Sequence, residues 1–501
     1  MASVDSTRPI ETGLRSYIGG KWSEPSTSDT VDIRNPANGQ VIARVPCATP
    51  EDAELAVREA RTAFDEGPWP RMPGTERGRI LRQLADALWR QRDALADIVV
   101  AQGGCTIAQA RGMQVYFPIQ TLYRYAELAE RNPVERFHIG AGGIPLQGGA
   151  TVGQSMVIRE PAGVVSAITP FNYPFLLNIQ KIGPALAAGC TVVLKPTEYI
   201  CWDAYQIARI ADEETDLPPG VLNVLLGGRA DVGEVLATHP MVDQVTFTGS
   251  TQTGRRIMAN AATTVKRVTL ELGGKSANVI FADADLDRAL AGDSALVIRH
   301  CGQGCGHLTR VLVEEPLHDE LLDRMTKRAK SVVVGDPMDP ATEMGPLVNE
   351  AQWNRVKGYI DSGVEQGARL VTGGGRPAGL DVGYYMEPTI FADTTADMRI
   401  FQEEIFGPVV LVQRFKDEQE AIRLANDSIY GLSGAVWSGD LGRGLRVASA
   451  IRTGSIAVNG AGSSTWEMPY GGYKQSGLGR EFGEWGFMEY TELKAIRYDA
   501  R

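Results

Sequence analysis

From residue 163 onward, short apolar runs take turns with stretches of helical spacing. Gly163-Val164-Val165-Ser166-Ala167-Ile168 is an apolar run of the kind found in a strand buried on both faces. Residues 175–188 then repeat apolar positions at helical intervals, and the exchange recurs. Strands are predicted at 191–195, 221–225 and 244–247, with helices at 202–213, 232–238 and 254–262 between and after them. Such alternation predicts a parallel, doubly wound sheet that takes ligands at the carboxyl ends of its strands. A second pattern of the same kind follows Leu272. It predicts strands at 277–281, 310–313 and 409–415, helices at 285–297, 317–332 and 350–366, and a Gly-rich loop at 372–385.

Other regions differ. Tyr17-Ile18-Gly19-Gly20-Lys21-Trp22 reads as a strand with a Gly-Gly turn, and Asn35-Pro36-Ala37-Asn38-Gly39 as a turn. Residues 50–131 carry helical periodicity, including a helix over 75–92, and read as scaffold. Between 134 and 160, Gly140, Gly142, Gly143, Gly148 and Gly149 interrupt short apolar stretches, which predicts a hairpin leaving the main body. Residues 490–498 read as a final edge strand.

Composition narrows the class. The chain has 501 residues, enough for two or three domains. Its net charge is −11 and no basic block stands out, which argues against nucleic-acid binding. No apolar run reaches the ~20 residues that span a membrane. Residues 1–11 lack the apolar core of a signal peptide, and six cysteines in so long a chain are no disulfide framework. The expected compartment is cytoplasmic.

The densest chemistry lies in His300-Cys301-Gly302-Gln303-Gly304-Cys305-Gly306-His307. Glycines on both sides of Cys305 leave its sulfur bare and let backbone N–H groups approach whatever it attacks, so Cys305 is a candidate nucleophile. Three other readings compete: a pair of buried structural cysteines, a Cys/His protease, and a zinc site. The crowded spacing lacks the two distant Cys-x-x-Cys-like hooks of structural zinc, so no metal is expected. Asn172, just past the first strand, either aims an amide into a cleft or builds a turn with its flanking prolines. Lys195 and Glu198 follow the second strand, where an acidic residue can hold ribose hydroxyls; the alternative is a solvated loop. Gly249 and Ser250 lie where the fourth strand enters a helix, a phosphate-binding position, although Thr251 breaks the G-x-G-x-x-G pattern. Gly274-Lys275-Ser276 is no P-loop, because Thr269 stands where that motif needs glycine. Glu271 remains, a strand-end carboxylate and candidate base. Residues 403–408 and 469–481 complete the set.

Together, over nearly the whole length and in one order, these motifs resemble the NAD(P)-dependent aldehyde dehydrogenase superfamily. The resemblance implies an α/β fold of two doubly wound Rossmann-like domains plus a small β oligomerisation element. The corresponding division is 1–138 and 162–273 for dinucleotide binding, 274–473 for catalysis, and 139–161 with 488–501 for oligomerisation. It implies Cys305 as nucleophile in Gly-Gln-x-Cys, Glu271 as general base, and Asn172 as the side-chain half of an oxyanion hole. Lys195 and Glu198 match adenosine-ribose contacts, Gly249 and Ser250 the pyrophosphate turn, Glu404 the nicotinamide-ribose contact, and Phe406 lies beside the nicotinamide. Tyr173, Leu177, Trp466 and Tyr470 match the substrate funnel, and the absence of arginine among them favours a medium-sized apolar or aromatic aldehyde. NAD is the expected cofactor, with NADP a weaker alternative, because Glu198 repels a 2′-phosphate. The expected reaction is oxidation of an aldehyde to the acid through a Cys305 thiohemiacetal and thioester. The alternatives are a CoA-acylating relative and a non-catalytic structural member of the family. A homodimer or homotetramer is expected. The sequence departs from the family pattern at Ile298, His300 and Cys301, where an aromatic, an asparagine and a residue other than cysteine are usual, and near Gly103-Gly104-Cys105-Thr106.

Overall fold

A computed structural model of the chain describes residues 10–24, 26–131, 134–141, 152–291, 295–460 and 466–499. The apolar runs of the first half become its central strands. Val164–Ile168, Thr191–Lys195, Leu222–Val224, Gln244–Thr248 and Arg267–Glu271 lie parallel in one eight-stranded sheet. Nearly every residue in these strands is buried, as a sheet covered on both faces requires. Tyr17–Ile18 and Lys21–Trp22 close one edge antiparallel, and Gly477–Leu478 closes the other. The strand order reverses beside Val164–Ile168: Thr191–Lys195 lies on one side and Gln244–Thr248 on the other. A crevice opens at such a reversal, and ligands bind there in this architecture.

The second sheet has seven strands. Ala277–Ile280, Arg310–Glu314 and Val409–Phe415 form its centre, extended by Thr389–Ala392 and Gly434–Trp437. Four buried apolar clusters underlie the two sheets, the largest of them between the first sheet and the helices of residues 50–131. A third, three-stranded sheet pairs Val134–Ala141, Val152–Pro161 and Thr491–Asp499, the last along an edge. The tip of the predicted hairpin, residues 142–151, lies outside the described residues. Among the described residues no helix is long and apolar enough to cross a membrane.

Two predicted helices differ from the structure. The helix over 75–92 ends at Arg90, and Arg92–Gly103 is a separate helix beyond Gln91. The helix over 285–297 is confined to Leu286–Ala289 among the described residues. Ala295, Leu296, Val297 and Ile298 are instead an almost wholly buried turn, and Val297 takes a left-handed φ of 57°. Four adjacent apolar residues buried on every side mimic helical content without a helical face.

Candidate active site

The Cys305 segment is held by one buried glutamine. Gln303 donates from Nε2 to the His300 carbonyl at 3.0 Å and accepts at Oε1 from the Val348 N–H at 3.0 Å. Its own carbonyl accepts from Asn172 Nδ2 at 3.0 Å. These contacts stabilise two successive left-handed residues, His300 at φ 49° and Cys301 at φ 51°, a conformation rare outside glycine. The flanking glycines serve packing as well as access. A Cβ on Gly302 would sit 2.0 Å from the Gly407 carbonyl, and one on Gly304 would sit 2.7 Å from His307 Cδ2. Cys301 is buried in the second core and Cys305 is partly exposed; all six cysteines are free.

A cavity of about 560 Å³ opens at the strand-order reversal and reaches Cys305. Its walls on one side are segments that follow the strands of the first sheet, and they include Asn172, Lys195, Glu198, Gly249 and Ser250. From the far side come Cys305, Glu404 and Phe406. Ser250 caps the helix Thr251–Ala261 by accepting from the Thr253 N–H at 3.2 Å, so a helix N-terminus faces this space. Lys195 donates to the Pro196 carbonyl at 3.3 Å, and burial holds its pKa below the usual lysine range. Glu404 accepts from the Gly274 N–H at 2.9 Å, and burial pushes its carboxyl up to about 7. Phe406 has a left-handed φ of 64° and meets Phe171 edge-on at 5.8 Å.

Two residues of this wall escaped sequence reasoning. Gln352 donates to the Phe406 carbonyl at 2.7 Å and Arg355 to the Glu404 carbonyl at 2.8 Å. Both lie on the helix Glu350–Glu365, far away along the chain, and no local signal marks them. A buried polar chain behind the Asn172 loop also went unseen. Thr169 donates to Asn178 at 2.6 Å, Asn178 to Asp203 at 2.9 Å, and Gln102 to Asp203 at 2.6 Å. Burial raises the Asp203 carboxyl to about 6. The spacing 169, 178, 203 and 102 has no periodic meaning.

Glu271, Tyr173, Leu177, Trp466 and Tyr470 are not among the residues that line this cavity. Tyr470 lies close to the sulfur, with Oη 3.7 Å from Cys305 Sγ. Tyr173 meets His300 edge-on at 5.6 Å and accepts from Gln109 at 3.4 Å. Leu177 sits one turn further along the helix Pro174–Ala188. Trp466 packs against Tyr125 at 5.6 Å.

Glu271 ends its strand almost fully buried, and neither carboxylate oxygen has a hydrogen-bond partner. Burial raises its pKa well above the ordinary range, and the Glu481 carboxylate adds to the rise. Lys181 and Arg480 oppose it. Lys181 also forms a buried ion pair with Glu481, which accepts from Gln180 as well. A carboxyl with a raised pKa is an effective base only once the pH rises through that value. Lys181→Met removes the opposing cation, so the acid limb of the kcat profile should move to higher pH. The buried Glu481 charge left behind should cost about 3–5 kcal/mol of stability. Thermal unfolding and a pH–rate profile check both; an unmoved acid limb would separate Lys181 from Glu271.

Two doubly wound sheets whose facing loops bring a cysteine to a cavity suited to a dinucleotide define the class of nicotinamide-dependent oxidoreductases. Residues 22–496 match the aldehyde dehydrogenase family, and the chain belongs to that family of oxidoreductases acting on aldehydes. It is 42% identical over 485 residues to a betaine aldehyde dehydrogenase of Bacillus subtilis, covering 96% of each chain. It is 42% identical over 482 residues to a 3-succinoylsemialdehyde-pyridine dehydrogenase of a Pseudomonas species, covering 96% of this chain and 97% of the other. The NAD+ complex of Staphylococcus aureus betaine aldehyde dehydrogenase superposes with a TM-score of 0.92 at 40% identity, over 97% of this chain and 95% of that one.

Proposed function

We propose that this protein oxidises an aldehyde to the carboxylic acid with NAD, using Cys305 as nucleophile, Asn172 as oxyanion donor and Glu271 as base. The observation that carries this reading is the shared cavity: Cys305 and Asn172 lie in the same space as the cofactor candidates. The residues fit a dinucleotide. A capped helix N-terminus and small residues at Gly249 and Ser250 suit a pyrophosphate, and Glu198 and Glu404 suit hydroxyls. Bound NAD supplies the hydride acceptor.

Cys305 as thiolate attacks the carbonyl carbon and forms a thiohemiacetal. Asn172 uses one amide hydrogen on Gln303, leaving the second for the oxygen that becomes negative. The Cys305 backbone N–H is the second donor. After oxidation to the thioester, Glu271 takes a proton from water, hydroxide adds to the acyl carbon, and the acid leaves as the thiolate returns. Glu271 must turn from its present place to reach that water, and its two unpaired oxygens leave it free to do so.

Formation of reduced nicotinamide across a panel of aldehydes tests the reading. Medium-sized apolar or aromatic aldehydes should outperform short dicarboxylic semialdehydes, since Tyr173 and Tyr470 flank Cys305. NAD should outperform NADP by at least roughly tenfold in kcat/KM, the worth of ~1.4 kcal/mol of repulsion between Glu198 and a 2′-phosphate. NADP equal to NAD would overturn the role of Glu198.

The three sheets support a division of labour, with residues 1–138 and 162–273 for the cofactor and 274–473 for catalysis. Gly477–Leu478, beyond the second segment, joins the first sheet. Protection of 162–273 from hydrogen exchange on adding NAD is the check. The third sheet, Val134–Ala141 with Val152–Pro161 and Thr491–Asp499, supports a role for residues 139–161 and 488–501 in assembly into a homodimer or homotetramer; a monomer in light scattering would refute it. Six free cysteines suit a cytoplasmic location, which cell fractionation tests.

A further inference from the structure

The surroundings of Cys305 oppose a thiolate. Burial pushes the thiol up to about 12, and the charges acting on it, Glu404, Glu271 and Glu481, are carboxylates that push the same way. The two histidines nearby bring no compensating charge. Burial holds His300 down to about 3 and His307 to about 4, so both are neutral at physiological pH. Yet a cysteine attacks a carbonyl as thiolate.

One side chain works in the opposite direction. Tyr470 Oη lies 3.7 Å from Cys305 Sγ, within hydrogen-bonding reach of sulfur. The phenol is built into this position from several sides. Tyr470 exchanges backbone hydrogen bonds with Glu481 at 2.9 and 2.7 Å, and its ring meets Phe482 edge-on at 6.3 Å. Gly306, directly after the nucleophile, keeps the approach open. A Cβ there would lie 3.0 Å from Tyr470 Oη and 3.2 Å from Ser433 Oγ. Burial, with Cys305 and Glu271 beside it, holds the phenol's pKa well above its ordinary value, while the Ser433 hydroxyl bonds to its oxygen. Tyr470 therefore keeps its proton at neutral pH. Beside a thiolate the bond has only one direction: the phenol O–H donates and the sulfur accepts.

We propose that Tyr470 is a catalytic residue whose phenol O–H donates a hydrogen bond to the Cys305 sulfur and holds it as the reactive thiolate. The thiol proton leaves to water, and the phenol keeps its own. This assignment rests on the reading of Cys305 as nucleophile, and goes beyond a place for Tyr470 in the substrate funnel.

The test uses the full chain without cofactor, so that bound nicotinamide does not contribute. The rate of Cys305 alkylation by iodoacetamide is followed against pH, with the site mapped by mass spectrometry. Tyr470→Phe should move the inflection to higher pH and slow alkylation on the order of tenfold below it, the effect of losing one hydrogen bond to a charged acceptor. Gly306→Ala keeps the phenol but crowds it, and should move the inflection the same way. Thermal unfolding and NAD binding confirm that both variants are folded. A Tyr470→Phe inflection coinciding with wild type overturns the proposal, whatever happens to turnover. Retention of turnover by Cys305→Ala would instead remove the nucleophile reading beneath it.

Discussion

Glu271→Gln should still release a burst of NADH close to one equivalent per active site, followed by steady turnover lower by ~10²–10⁴, the usual contribution of a positioned base. Acylation and hydride transfer need Cys305 and the oxyanion donors. Only hydrolysis of the thioester needs a base for water. The structure favours this separation. The Glu271 carboxylate lies away from the cavity beside Gly471, where a Cβ would approach Glu271 Oε1 to 2.9 Å, and it makes no hydrogen bond to Cys305. Its raised pKa adds a pH signature. Wild-type steady turnover should fall as pH drops through the Glu271 pKa, because the protonated carboxyl accepts no proton, while the burst amplitude stays. Cys305→Ala should show neither burst nor turnover. If the burst also collapses in Glu271→Gln and returns at higher pH, Glu271 assists the thiol as well. Full steady turnover in Glu271→Gln would leave it a buried structural carboxylate.

Asn172→Ala should slow the burst itself, by ~10²–10³, or about 3 kcal/mol of lost transition-state stabilisation. This kinetic phase distinguishes it from Glu271→Gln. The oxyanion forms before hydride transfer, so a missing donor delays the first NADH rather than the second. A stability loss accompanies it, since the Gln303 carbonyl loses its Asn172 partner at 3.0 Å. An unsatisfied buried acceptor costs about 1–3 kcal/mol. Rapid mixing measures the burst, and thermal unfolding measures the loss. A burst as fast as wild type would return Asn172 to a purely structural role beneath Gln303.

The central strands were legible because their apolar residues are contiguous and their neighbours are separated by helical stretches. The strands at 191–195 and 409–415 have the predicted bounds. Among the strands not predicted, Thr389–Ala392 and Gly434–Trp437 are four residues each and lie outside the regular strand–helix alternation that marked equally short strands such as Ala277–Ile280. The turn at 295–298 misled for the opposite reason: burial on all sides fills every position with an apolar residue and erases the face that distinguishes helix from turn.

At the site, residue type and strand-end position were enough to nominate Cys305, Glu271, Asn172, Lys195, Glu198, Gly249 and Ser250. Each sits at a glycine-flanked or strand-terminal position, where the local chain alone restricts what the side chain can do. Glu404, Phe406 and the funnel residues came from the family resemblance. Neither route reached Gln303 as the strut between Asn172 and Val348, Gln352 and Arg355 behind Phe406 and Glu404, or Asp203 behind Thr169. Their partners lie up to 131 residues away. Which way a known candidate faces was likewise decided in three dimensions. The sequence by itself determined the α/β class and the family and nominated the candidate reactive groups, since short-range periodicity and motif order carry that information. Only the tertiary structure decided that Glu271 faces Lys181 and Glu481, and that Tyr470 reaches the sulfur, because burial, charge environment and hydrogen-bond reach arise from segments that meet only when the sheets are assembled.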